Sequence, residues 1–442
     1  MRNPTLASFI ILALTNAGPA GAAEVRVSLP EAIDLALSGN QALKATRERA
    51  LATHSRAGIT DRLLWPRVSL TSQWSRTDNP AMVFMGKLNS GVIEERDFAP
   101  ATLNDPRARS QMSTRLSIEA PLDPFGRFTS LKGAGRAMAR SADEASREQA
   151  LDLRRRVTEA YGHAAVSREA VSAVEAAVTA SRSREAETEA RVGEGAALRA
   201  DLLRLRARRR EREAEVAARM ADQSGAEAVL SELLGAGGDT TFVPSGLLTP
   251  ASEPLADETV LVAKALSNRP ALEALRLQAE AATRVAEADH KARLPELGVF
   301  AQLTDDRGGF SEGRQSYAVG GFLRMSIFDP AKNARQAEAQ LTARAAELDL
   351  WAAMDEVRRS IRTARERVRS SLAAMDAAKG GAEEGQEALR VVQERRREGL
   401  ATLTDELETE GASLGAQLRE LSAQVEVAIA EAALARVTGG TK

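Results

Sequence analysis

The sequence predicts a mainly α chain with a membrane β-barrel portion, built from one helix–β-hairpin–long helix–helix unit used twice. Three observations predict it. Long Ala-rich, charged stretches carry an apolar residue every three to four positions. Four segments of about ten residues alternate apolar and polar side chains, the period-two mark of a strand with two unlike faces. A 31-residue segment recurs later in the chain without gaps.

The recurrence sets the domain plan. ALSGNQALKATRERALATHSRAGITDRLLWP, from Ala36, lines up on ALSNRPALEALRLQAEAATRVAEADHKARLP, from Ala265, with 11 of 31 pairs identical at an offset of 229. Two further anchors follow in order. LDPFGR, from Leu122, matches FDPAKN, from Phe328, and GAALRAD, from Gly195, matches GLATLTD, from Gly399. Both members of the last pair place an Asp six residues after a Gly. So long a period excludes a solenoid of short repeats and indicates one duplicated unit, over 24–235 and 258–442. The breaker-rich stretch 236–257 joins the copies.

In chain order, Arg2, the apolar run Leu6 to Leu14 and the A-x-A of Ala20 and Ala22 predict a secretory signal peptide over 1–23. A helix is expected over 30–65. Strands follow at about 66–76, with Val68, Leu70 and Trp74 on one parity, and at about 111–122, with Met112, Leu116, Ile118, Ala120 and Leu122 on one parity. The segment TDNPAMVFMGKLNSGVIEERDFAPATLNDP between them forms a loop, longer than its counterpart because the repeat offset changes from 229 to 206 across it. A long helix is expected over 127–194 and a shorter one over 197–234. The second copy repeats the plan: a helix over 258–294, strands at about 295–304 and 316–328, a long helix over 331–398 and a shorter one over 401–437. In the second long helix Leu350, Met354, Val357, Ile361, Ala364, Val368, Leu372 and Met375 step by three or four, as a helix seam requires. At 1.5 Å per residue each long helix is roughly 100 Å.

Composition excludes several functions. A net charge of -2 gives no electrostatic case for nucleic acid. No cysteine means no disulfide, no thiolate metal site and no lipidated N-terminal Cys. His54, His163 and His290 lie in helical stretches without zinc-protease spacing, Met82 and Met85 fit loop packing better than a metal, and the glycines at 133 and 135 lack the strand of a dinucleotide loop. No catalytic site, cofactor or metal is expected. Aromatic residues make up 3 %, and much of the apolar fraction is alanine, which suits closely packed helix seams.

The strands decide between a soluble coiled coil and a membrane protein. Their length suits a tilted transmembrane β-strand. Four cannot close a barrel, and an open edge in lipid leaves unpaired backbone groups costing several kcal/mol each. Closure therefore comes from further copies of the chain: eight, twelve or sixteen strands in all.

The duplicated plan, the ALSGNQAL/ALSNRPAL helix starts, the Pro-led strands, LDPFGR/FDPAKN and the paired Gly–Asp motifs resemble the TolC-like outer-membrane efflux family over nearly the whole chain. The resemblance implies a homotrimer: a 12-stranded barrel in outer-membrane lipid, four strands per chain, continued by a periplasmic α-helical barrel. It implies a passive exit duct of a tripartite efflux or type I secretion system, with a periplasmic adaptor and an inner-membrane transporter as partners. It places Gly195, Ala196, Gly399 and Leu400 at hairpin tips that dock the adaptor, and Asp405, Glu408, Asp201 and Arg396 at a periplasmic gate, Arg396 and Arg397 being set to pair with Asp201. A periplasmic coiled-coil scaffold outside the membrane is the alternative. Trp65, Trp74, Phe300, Tyr317 and Phe328 are the candidate membrane-interface aromatics.

Overall fold

The computed structural model describes residues 23–236, 240–250, 254–309 and 313–440. Nearly all of the expected signal segment lies outside them. The elements run β1 (Ala23–Val27), α1 (Leu29–Gly39), α2 (Gln41–Asp61), β2 (Arg67–Thr77), α3 (Pro80–Asn89), a 3-10 turn (Glu95–Phe98), α4 (Pro100–Asn104), β3 (Arg109–Leu122), α5 (Arg127–Gly193) and α6 (Arg199–Leu234). They continue with β4 (Thr240–Pro244), α7 (Glu258–Asn268), α8 (Pro270–Lys291), β5 (Glu296–Arg307), β6 (Gly313–Arg324), α9 (Pro330–Arg397) and α10 (Leu403–Val437).

The two shorter opening helices are each broken where one was expected. The break falls at Asn40 and at Arg269, equivalent positions of the two copies, both extended at ψ near 120°. In the second copy Pro270 forces the preceding residue out of helical space. In the first, the Asn40 amide does the work: its Oδ1 accepts from Leu43 N and its Nδ2 donates to Leu233 O. The long helices begin at the repeated Asp-Pro motif. The Asp123 carboxylate accepts from the amides of Phe128 and Thr129 and from the Thr129 hydroxyl, and Asp329 accepts from Ala331 N. Each Asp satisfies amides that a helix start leaves without intrahelical partners.

The chain divides into two compact units. One comprises 1–46, 147–269 and 357–442. Here β1 and β4 pair as a short parallel sheet, so the inter-repeat stretch contributes a strand that alternation did not reveal. Beside it, Leu43, Val157, Tyr161, Ala164, Leu230 and Val425 form a core of small and medium side chains. Gly162 allows a close approach: an added Cβ there would sit 2.5 Å from Val425 Cγ1.

The other unit, 47–146 and 270–356, holds an antiparallel sheet in the order β2-β3-β5-β6. Its register puts Val68, Ile118, Ala301 and Val319 in one row and Leu70, Leu116, Leu303 and Tyr317 in the next. The opposite face carries Ser69, Ser117, Gln302 and Ala318, then Thr71, Arg115, Thr304 and Ser316. The apolar face is open to its surroundings: Leu70 is 70 % exposed and Tyr317 83 %. No helix among the described residues is long and apolar enough to cross a membrane. Two details differ from expectation. β6 stops at Arg324, which pairs with Glu296, because the next residue of the partner strand, Pro295, has no N–H to donate. Phe300 stands on the polar face, across from Gly320, and so leaves the aromatics of the apolar face to Trp74 and Tyr317.

Candidate functional site: the two hairpin tips

Both helical hairpins turn through the same local device. Gly195 and Gly399 have φ of +73° and +76°, a left-handed conformation that favours glycine. Gly195 N donates to Val192 O and Ala196 N to Arg191 O; Gly399 N donates to Arg396 O and Leu400 N to Arg395 O. That pair of bonds is the Schellman ending, which satisfies the last helical carbonyls. An added side chain at either glycine would meet nothing within 4 Å, so the tips are open. Each presents a bare leucine, Leu400 at 64 % exposure in the second copy and Leu198 at 69 % in the first. Sequence reading missed Leu198 because the repeat pairs it with Thr402, not with Leu400.

The acidic residues beyond Gly399 separate into different roles. Thr402 caps α10, and Asp405 completes a capping box by accepting from the Thr402 amide and hydroxyl. Those bonds, the backbone one first, hold the Asp405 carboxyl below the usual aspartate range. It stays ionised. Glu408, three residues on and so on the same helix face, is exposed as Asp405 is. Glu406 is buried instead. It pairs with Arg396 from α9 and lies 3.8 Å from Arg184 of α5, which also pairs with Glu410. Arg396 is therefore bound inside its own hairpin, while Asp201 sits in the first turn of α6 at 3.4 Å from Arg204. The chain itself does not bring Arg396 to Asp201. Glu410 and Arg184 were missed, although the i,i+4 spacing of Glu406 and Glu410 marks one face.

The hairpins differ along their length. Near its tip the first is laced across: Arg182 to Glu213, Arg206 to Glu185 and Glu189, and Arg209 to Glu185, while Arg209 also pairs with Glu213 of its own helix. Arg209 above all, with Arg206, holds Glu185 below the usual glutamate range. In the second, Arg396–Glu406 and Arg367–Glu426 join α9 to α10, while Arg390 bonds Glu387 and Glu394 of its own helix. The second hairpin also carries Gly380, Gly381, Gly385, Gly411 and Gly415 where the first, counted from its tip, has Ala176, Ala177, Ser181, Ala207 and Glu211. Two of the three histidines bond neighbouring elements: His54 bonds Asp143 and His290 bonds Gln336.

An open four-stranded sheet with one apolar face, duplicated long helical hairpins and exposed glycine tips define a membrane channel subunit. The outer membrane efflux protein family matches residues 32–236 and 261–440, and the chain belongs to it. It is accordingly an outer-membrane protein with a periplasmic helical portion, which sets aside the scaffold alternative. No curated protein sequence matches the chain. The fold is shared with a membrane protein of Pseudomonas aeruginosa, at a TM-score of 0.79, 19 % identity and coverage of 97 % of this chain and 99 % of that one. It is shared too with the Campylobacter jejuni CmeC outer membrane channel, at 0.79 and 16 %, over 93 % of this chain and 85 % of that one. The open-state MtrE outer membrane channel of Neisseria gonorrhoeae matches at 0.76 and 20 %, over 96 % and 94 %.

Proposed function

We propose that the protein is the passive exit duct of a tripartite efflux or type I secretion system. It works as a homotrimer whose tips dock a periplasmic adaptor linked to an inner-membrane transporter. The observation that carries this reading is the sheet: β2 and β6 are its two outer strands, and its apolar face is uncovered. Unpaired backbone edges are not tolerated in lipid, so the edges of neighbouring chains pair with one another; three chains, the number that the family resemblance implies, close twelve strands. Energy comes from the partner, since the residues at the tips have charges and apolar contacts but no constellation for chemistry.

The second hairpin is the moving part of the gate. Its five glycines weaken α9 and α10 by roughly 1 kcal/mol each relative to alanine, and the first hairpin has no glycine at the corresponding positions. Closure is held by Arg396–Glu406 and Arg184–Glu410. Asp405 and Glu408, six carboxylates in a trimer, line the constriction and draw cations. Asp201 offers a carboxylate from the first hairpin to a neighbouring chain. Gly195, Ala196, Gly399 and Leu400, joined by Leu198, form the docking surface.

Planar-bilayer recording tests the duct. The purified protein is expected to give discrete, mostly closed, cation-preferring channels, and Glu406→Gln should raise the open probability several-fold. A folded, inserted protein without any conductance would sink the proposal. If Asp201→Ala opens the channel and Glu406→Gln does not, the lock lies between chains rather than within the hairpin.

A further inference from the structure

The long connection between β2 and β3 is built, not loose. Asn79 caps α3 by accepting from Met82 N, and Gly91 ends it with a φ of +71°. Lys87 on α3 pairs with Asp97, 3 % exposed, whose other oxygen accepts from Glu94 N. Phe84 and Phe98 meet edge to face at 5.6 Å, and Val83 is buried at 3 % exposure. A buried ion pair, a cap and an aromatic pair within some thirty residues fix one conformation.

The anchors of this small subdomain show which side of the sheet it occupies. Gln111 Nε2 donates to Met82 O at 2.8 Å, and Gly86 lies directly against the Gln111 amide. Gly91 rests on the side chain of Arg314. Gln111 pairs with Ser75, in the row parity of Gln73, Ser113 and Arg115, and Arg314 pairs with Asp306. Both anchors thus belong to the polar face, opposite the apolar rows of Leu70, Leu116, Leu303 and Tyr317. In a closed barrel the apolar face meets lipid and the polar face meets the lumen. The loop end of the sheet is the end away from the helices, hence the external mouth. α3 therefore leans over the lumen. Beginning at the Met82 anchor, α3 carries a row of uncovered side chains spaced one helical turn apart. These are Met82 at 50 % exposure, Met85 at 49 % and Leu88.

We propose that the three α3 subdomains of a trimer meet over the external mouth and narrow the exit, each packing its Met82–Met85–Leu88 row on the same segment of another copy. This rests on the trimeric duct reading. Strand spacing of about 4.8 Å and a tilt of about 40° make a 12-stranded barrel roughly 24 Å across between backbones. A helix with its side chains is about 10 Å wide, so three of them seated inside that mouth stand at most about 12 Å apart between axes, and a slight inward lean brings them to the roughly 8–10 Å of packed helices. The occupant of the apolar row is a second copy because the interface closed by β2 and β6 runs directly into it.

The native chain has no cysteine, so Met85→Cys in the full-length protein is a clean probe. Cells expressing it are treated with a short bis-maleimide, and Ser72→Cys, on the lipid-facing parity, serves as the control. Most Met85→Cys chains are expected to run as covalent dimers, with the control near background. Replacing residues 80–104 by a short Gly-Ser linker should raise single-channel conductance at least about twofold. Native mass in detergent separates the failures. Three chains without a Met85 cross-link, or with unchanged conductance in the loop variant, overturns the external cap and leaves the duct standing. A mass of one chain overturns the trimer on which the cap depends.

Discussion

At Asp405, Glu406 and Glu408 three neighbouring carboxylates do three different things, and the difference is set by what each helix position faces. Asp405 turns back to cap its own helix, Glu408 stays in solvent, and Glu406 points between helices to Arg396 and Arg184. The acidic cluster was legible in the sequence; its division was not, because Arg184 lies more than two hundred residues away. Asp405→Ala with Glu408→Ala is expected to abolish block by divalent cations and to lower cation preference in bilayer recordings. Retention of the parental block would remove these acids from the constriction. Gly399 separates turn from docking. Asn tolerates the left-handed conformation, so Gly399→Asn should leave the hairpin intact while its bulk at the open tip impairs export. Gly399→Val should cost about 1 kcal/mol or more in the turn as well. Export that survives Asn and fails only with Val would show that the glycine serves the turn alone.

The elements that repeat themselves over many residues were the easiest to see. Period two gave all four strands within a few residues, and period 3.6 gave the long helices, because each face has a constant environment along its whole length. The interruptions were harder. Pro270 announces the break after Arg269, but at Asn40 the break depends on Leu233, a partner remote in sequence. β1 and β4 are five residues each, too short for a pattern, and exist only as each other's partner. The helices within the first loop begin at Pro80 and Pro100, signals that the polar, turn-rich surroundings masked. Gly380→Ala with Gly381→Ala, where the added methyls meet open space, should stabilise α9 by about 1 kcal/mol each. Such a variant is expected to melt higher and open less often; unchanged gating would place the flexion elsewhere. The first hairpin should respond to acid. Glu185 is held below the ordinary glutamate range, chiefly by Arg209, so its contribution is complete above that range and is lost as pH falls through it and below. Hydrogen exchange at residues 182–213 should accelerate on acidification over that window in the parent and much less in Glu185→Gln.

For the whole molecule, one duplicated unit supplies two hairpins with unlike mechanics and four strands that do not close. The duplication and the missing closure could be seen in the sequence, since an offset and a strand count need no coordinates. The inward lean of the first loop could not, because it depends on which face of β3 and β6 holds Gln111 and Arg314. The central claim is that closure comes from three identical chains in the outer membrane, and mass in detergent addresses it most directly. The outer-membrane extract should give a single folded species of three chains. A stable folded species of one chain, or of two or four, would contradict the account.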